Sequence, residues 1–253
     1  MTLKQQIFAD WDVSPNIVAF TTTRLGGVSE LPFASFNLAT HVGDDAHRVA
    51  SNRSLLKELL PQPLEWQWLD QVHGDDVAMV NKAGPTLIAD AMLTTSENLV
   101  CCVQTADCLP LFIAAVDGTE VAVIHAGWKG LASGVIENTI SRMSSSPSSL
   151  AVYLGPAIGP CHFEVGGQVR DCFLAAAESP SLVLATQACF VCSKNPGKFM
   201  ADLYAIARLK LSALGIDKIS GGDFCTHCDD DKFFSYRRDG VTGRMLNAIY
   251  IEA

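Results

Sequence analysis

The chain is short of positive charge. Eighteen lysines and arginines stand against 27 acidic residues, a net charge of −9 over 253 residues. That balance excludes a general grip on nucleic acid or on an anionic membrane surface. An anionic substrate therefore needs a local cluster of arginines. No apolar run reaches the ~18 residues of a membrane span. Met1 to Asp12 is mixed and polar, unlike the charged-then-apolar start of a signal peptide. Internal repeats and long low-complexity tracts are absent, and Ser144–Ser149 reads as a short connection. Charged residues make up only 18% and hydrophobic ones 49%, a globular composition able to bury a substantial core. We read residues 1–253 as one domain. The nine cysteines form no regular framework. Cys101, Cys102 and Cys189 lie in apolar runs, where a reduced thiol packs as a small hydrophobe. This usage implies a reducing cytoplasm.

What is present is mixed. Strand-like runs cover Ile17–Thr22, Val77–Val80, Leu99–Gln104, Leu111–Val116, Glu120–Ile124, Ala151–Leu154 and Leu182–Ala185. Helix-like runs cover Asp45–Leu60, Leu131–Met143, Gly167–Ala177 and Phe199–Leu214, the last stopped by Gly215. The mixture predicts an α/β or α+β sandwich. Asp117-Gly118 between two apolar runs predicts a hairpin turn. Counting outward from Val116 opposite Thr119 pairs Pro110 with His125. Cys108 then lies two residues off, on the same face as His125. Pro110 cannot donate to a ladder, which predicts an edge strand or a bulge there.

That count matters because of Val121-Ala-Val-Ile-His-Ala-Gly-Trp-Lys-Gly130. An apolar strand runs into His125, then a glycine-punctuated turn, then a helix. The carboxyl end of a strand is where α/β sheets hold ligands. His73 in Gln71-Val-His-Gly74 and Cys108 in Thr105-Ala-Asp-Cys-Leu-Pro110 have similar settings. Two imidazoles and a thiolate make a three-ligand zinc set with one position open. Asp107 offers a carboxylate beside Cys108, either orienting a ligand or capping a turn. A rival reading pairs Cys108 with His125 as nucleophile and base, with Asp107 orienting the base. It leaves His73 without a role. Cys189-Phe-Val-Cys192 and Cys225-Thr-His-Cys228 raise a further possibility, a closed four-cysteine zinc site.

Four segments suit substrate handling. Thr21–Gly27 sets Arg24 beside flexible backbone, where it could receive an oxyanion or sit in an ordinary turn; it does not match the G-x-G-x-x-G dinucleotide fingerprint. Asn37 and His41–Asp44 are polar insertions compatible with a loop over a pocket. Phe233–Arg244 combines aromatics with Arg237, Arg238 and Arg244, which suits a planar base and a phosphate. It reads equally as a hairpin turning at Asp239-Gly240. Gly155–Val165 is a rigid loop that either walls a pocket or connects a strand to a helix.

Several of these stretches together resemble the YfiH family, also called multicopper polyphenol oxidase or laccase-domain proteins and, later, purine nucleoside phosphorylases. They are Thr23–Ser29, Asn37–Asp44, Gln71–Gly74, Ala106–Pro110, His125–Gly130, Gly155–Cys161 and Phe233–Asp239, which span almost the whole chain. The resemblance implies a four-layer α-β-β-α sandwich with mixed sheets. It implies one catalytic ion, usually zinc with copper possible, on His73, Cys108 and His125. It also implies phosphorolysis of adenosine, inosine, guanosine and methylthioadenosine, deamination of adenosine, and small-molecule partners only. Arg24, Asn37, Arg237 and Arg244 are the candidate substrate contacts. Lys129 stands where the family often has arginine, which keeps the charge but loses the planar fork. Copper-dependent phenol oxidation, editing of a peptidoglycan precursor by an amidase, and a non-catalytic metal-binding module stand as alternatives. Three ligands hold only one of the several copper ions that oxidation with dioxygen normally needs.

Overall fold

The computed structural model describes residues 5–61, 63–177 and 179–253. Residues 1–4, part of the polar start and of the span read as one domain, lie outside the described residues, as do 62 and 178. Two mixed sheets stack face to face. The first runs β1(Gln6–Phe8)-β2(Ile17–Thr22)-β16(Met245–Ile251)-β8(Leu99–Thr105)-β3(Glu65–Gln67). The second runs β15(Lys218–Gly221)-β11(Leu150–Leu154)-β9(Leu109–Ala115)-β10(Val121–Ala126)-β7(Ala91–Thr94)-β5(Val77–Met79). A three-stranded sheet, β12(Glu164–Gly166)-β14(Lys198–Ala201)-β13(Phe190–Cys192), and the short pair β4(Leu69–Asp70) with β6(Leu87–Ile88) sit beside them.

Alternation along the strands sorts side chains into layers, because successive residues face opposite sides of a sheet. Ala19, Val103, Ile249, Phe112 and Val123 fill the space between the two sheets. Leu111, Ile113, Ala122 and Ile124 point the other way. They meet Leu131 of α2(Trp128–Ser133), Ile136 of α3(Val135–Arg142), Phe173 of α4(Gly167–Ala175) and Leu211 of α6(Leu203–Ala213). On the far face of the first sheet, Phe20, Cys102 and Ala248 pack with Leu56 of α1(Ala46–Glu58). The result is the expected α-β-β-α sandwich. Each fully buried large aliphatic side chain contributes about 1.5–3 kcal/mol.

The hairpin register is the one counted from the turn, with His125 opposite Pro110 and Val121 opposite Ala114. The expectation of an edge or bulge at Pro110 does not hold. β9 is a central strand, and Pro110 is its second residue. Its partner β11 ends opposite Leu111, and Gly155 N–H donates to Pro110 O at 2.9 Å, so the missing donor falls where the ladder stops.

Four further expectations are corrected. Leu182–Ala185 lies within a helix, α5(Pro180–Ala188), because Ser179 caps it and Pro180 starts it. The run Leu131–Met143 breaks at Gly134, whose φ of 100° lies in the left-handed region. Phe199 belongs to β14, paired with Val165 and Cys192, and the helix begins after Asp202, which caps it. Asp239-Gly240 closes a short helix, α7(Tyr236–Asp239), and not a hairpin. Among the described residues no helix is long and apolar enough to cross a membrane.

Candidate metal centre

His125 is the fifth residue of β10, so it shares the parity of Val121 and Val123 and faces the space between the sheets. Cys108 precedes β9 and shares the parity of Pro110 and Phe112. His73 arrives from the loop between β4 and β5. Their ligand atoms lie within 4.8 Å of one another, at the open end of the sandwich. The imidazoles of His73 and His125 meet edge to face, with centroids 4.8 Å apart.

Gly127 makes this convergence possible. A Cβ there would stand 2.9 Å from His73 Cδ2 and 3.1 Å from Cys108 Sγ. Its φ of −62° is open to any residue, so the requirement for glycine is one of space. Strain also gathers here. Of three non-glycine residues with positive φ among the described ones, two are His73 (61°) and Asp107 (94°). Such backbone costs on the order of 1–3 kcal/mol and persists only where its surroundings impose it.

The residue that holds the centre is Asp90, which sequence reasoning missed. It is fully buried. Its Oδ1 accepts from His125 Nδ1 at 2.7 Å and from His73 N–H at 3.0 Å. Its Oδ2 accepts from Gly74 N–H at 2.7 Å and from Val72 N–H at 3.2 Å. One carboxylate thus shapes the loop carrying His73 and turns His125 so that Nε2 is left for the centre. A signal was available, since a lone aspartate interrupts the apolar run 87–93, and a buried carboxylate must find partners. Burial pushes the Asp90 carboxyl up, but the His125 imidazole and the Gly74 and Val72 amides outweigh it and hold it below the usual range.

Asp107 does not orient the base. Its Oδ1 accepts from Thr226 Oγ1 at 2.6 Å and its Oδ2 from Arg237 N–H at 2.6 Å, so it anchors the backbone beside Cys108. Burial raises the Cys108 thiol, but the charge and hydrogen bonds of His125 and His73 outweigh it and bring it down to about 6. Burial lowers His125, while the Cys108 thiolate and Asp90 raise it to about 9. The two groups favour each other's charged form. A divalent cation fits the donor set, with two imidazoles, one thiolate and a carboxylate behind one imidazole.

A cavity of about 410 Å³ opens onto these donors, lined also by His41, Gln71, Gln104, Tyr236 and Arg244. Of the four candidate substrate contacts, only Arg244 lines it. Its Nη1 donates to Thr242 O and Gly243 O, so two backbone carbonyls hold it. Burial lowers its pKa. Arg24 Nε donates to Ala34 O and its Nη1 to Asp230 O, which ties loops together. Asn37 is fully buried and bonds Ala39, Asp44 and the Arg244 amide. Arg237 donates to Glu164 O and packs on Phe163. Gln104, missed in the sequence, is 8% exposed and its Nε2 has no partner among the described residues. The alternative four-cysteine set of Cys189, Cys192, Cys225 and Cys228 is not assembled. Cys189 caps α5 and Cys192 lies in β13, while Cys225 and Cys228 meet Cys161 and His162 instead.

The model of one family, described as multi-copper polyphenol oxidoreductase laccase, matches residues 18–252. The chain belongs to that family. A Pseudomonas aeruginosa member named purine nucleoside phosphorylase PA4543 is 46% identical, over 96% of this chain and 97% of its own. The Escherichia coli member, purine nucleoside phosphorylase YfiH, is 41% identical over 98% of this chain and 100% of its own. The crystal structure of Neisseria meningitidis protein NMB0706 superposes with a TM-score of 0.92 at 42% identity, covering 99% of this chain and 100% of that one. YlmD from Geobacillus stearothermophilus does so with a TM-score of 0.84 at 36% identity, covering 95% and 94%.

Proposed function

We propose that this family member is a zinc-dependent enzyme of purine nucleosides, cleaving the glycosidic bond with inorganic phosphate and deaminating adenosine. The observation that carries this reading is the meeting of His73, Cys108 and His125 at the wall of a cavity that also holds an arginine. The names of relatives similar over nearly their whole length support it. A zinc ion on the three donors would supply Lewis acidity and an acidified water.

The chain's own groups account for binding. The cavity volume of about 410 Å³ suits a nucleoside-sized ligand. In phosphorolysis a phosphate oxygen bonds to C1′, the C1′–N9 bond breaks, and its electron pair passes to the purine. Arg244, anchored through Nη1, presents its remaining guanidinium nitrogens to the phosphate. Tyr236, 62% exposed at the rim, offers a ring face to the base. Gln104 Nε2 gains a partner when a purine acceptor enters. In deamination the oxygen of water replaces the amino group at C6 and ammonia leaves.

One observation favours a second reading. Cys108 Sγ and a ring nitrogen of His125 stand within 4.8 Å of each other, a thiol–imidazole arrangement that suits an amidase acting on a cell-wall precursor. Zinc-loaded protein given adenosine or inosine with phosphate should release free base and ribose 1-phosphate, and adenosine alone should give inosine. Cys108→Ala and His125→Ala should lose both activities. Inertness toward every purine nucleoside, with turnover of a muropeptide amide, would sink the first reading and leave the second.

A further inference from the structure

A second cluster of donors lies outside the cavity. Cys161 and His162 sit in the loop after β11, and Cys225 and Cys228 in the loop before α7. The sulfur of Cys161 is 3.7 Å from that of Cys225 and 3.6 Å from that of Cys228. His162 Nδ1 is 3.2 Å from Cys161 Sγ and 3.3 Å from Cys228 Sγ. All four ligand atoms lie within 4.8 Å of one another. We propose that these residues form a second, closed zinc site of the three-cysteine, one-histidine type.

The distances carry the proposal. Tetrahedral zinc with Zn–S of ~2.3 Å sets its sulfurs ~3.8 Å apart and a ring nitrogen ~3.6 Å from each sulfur. The sulfur separations fall beside the first value, and the nitrogen separations a few tenths below the second. A disulfide requires sulfurs at ~2.05 Å, far closer than these, and all nine cysteines are free. Three thiolates and an imidazole are a soft set that selects zinc over magnesium or calcium. Four donors leave no position for a substrate.

The surroundings are built around the cluster. Gly159 N–H donates to Cys225 Sγ at 3.2 Å, as amides do around metal thiolates. A Cβ at Gly159 would stand 3.2 Å from Cys225 Cβ and 3.4 Å from Cys161 Sγ. The ring of His227 stacks on His162, with centroids 3.8 Å apart and planes at 10°. The loops it would join also touch the first centre. Thr226, between the ligands, donates to Asp107, and Ile158 N–H donates to Asp107 O at 3.0 Å. The second ion fastens the two loops that fix the backbone just before Cys108. Its role is structural, and it is independent of which reaction the first centre performs.

Metal analysis of full-length protein, purified under reducing conditions and dialysed against zinc, tests this. Wild type should hold two zinc equivalents per chain. Cys228→Ser and His125→Ala should each hold one, and the double variant none. Cys228→His, which restores a zinc donor, should return to two. With cobalt substituted for zinc, the thiolate-to-metal absorption should largely persist in His125→Ala and largely vanish in Cys228→Ser. Circular dichroism of Cys228→Ser should match wild type, which separates lost metal from lost fold. One equivalent in wild type, abolished by His125→Ala and untouched by Cys228→Ser, overturns the proposal. So does a Cys161–Cys228 or Cys161–Cys225 disulfide found by mass spectrometry in protein that was purified under the same reducing conditions and lacks the second ion. Neither result bears on nucleoside turnover at the first centre.

Discussion

The two donor clusters differ in what supports them. The His73–Cys108–His125 set combines a strand residue, His125, with Cys108 just before a strand and His73 from a loop, and is backed by a buried carboxylate. It opens on a cavity and offers three ligands. The Cys161–His162–Cys225–Cys228 set grows wholly from loops, has no buried member where the first set has His125, and offers four. A buried, strand-anchored centre with a vacancy suits chemistry, and tethered loops with a full shell suit stability. Each cluster keeps a glycine against its sulfurs, but Gly127 is enclosed more tightly than Gly159.

The most severe way to break this contrast is His125→Ala. It removes a ligand that the carboxylate has already aimed, so nucleoside turnover should fall to background while the fold survives; residual activity above background in a steady-state assay would refute a shared centre. Next is a matched pair. Gly127→Ala should separate His73 from Cys108 and weaken first-site zinc by a factor of 100 or more, because neither an imidazole held by its loop nor a strand-end thiolate can retreat. Gly159→Ala should weaken the second site by only about tenfold, given its longer contacts and exposed loops. Competition with a chelator of known affinity reads both, and equal losses would erase the proposed difference in rigidity.

Asp90→Asn should follow, lowering first-site zinc affinity about 10–100-fold, the range for partners behind a ligand. An amide has one acceptor oxygen where the carboxylate serves four donors, so hydrogen bonds are lost, a cost of about 1–3 kcal/mol seen in urea unfolding. The second site should be unaffected. Arg244→Lys should have the smallest effect. A lysine keeps the charge but loses the planar fork, so KM for phosphate should rise roughly tenfold with kcat little changed. A fall in kcat at constant KM would instead place Arg244 in the reaction itself.

The first centre was largely readable from sequence because its geometry follows local rules. Strand parity and one Asp-Gly turn place His125 and Cys108 on one face, and the register counted from that turn is the one found. His73 followed from its place beside a glycine turn and from family resemblance. Asp90 was missed because its role depends on β7 pairing with β10, a neighbour 35 residues away in the chain. The second cluster was half-readable. Cys225 and Cys228 announce themselves by spacing, but Cys161 and His162 lie more than sixty residues upstream, and the loops meet through the parallel contact of β11 with β15. Helix α5 was misread because an apolar run of that length has no period of its own. Ser179 and Pro180 held the answer.

The parity of β10 carries a consequence for how this protein can change. Loops around the cavity can lengthen or shorten without moving the imidazole. A single residue inserted between Val121 and Ile124, by contrast, would swing His125 into the helical layer and bring an aliphatic methyl to the ligand position. Tolerance to insertion should therefore drop abruptly along six residues of chain, a boundary that a scanning-insertion library can map.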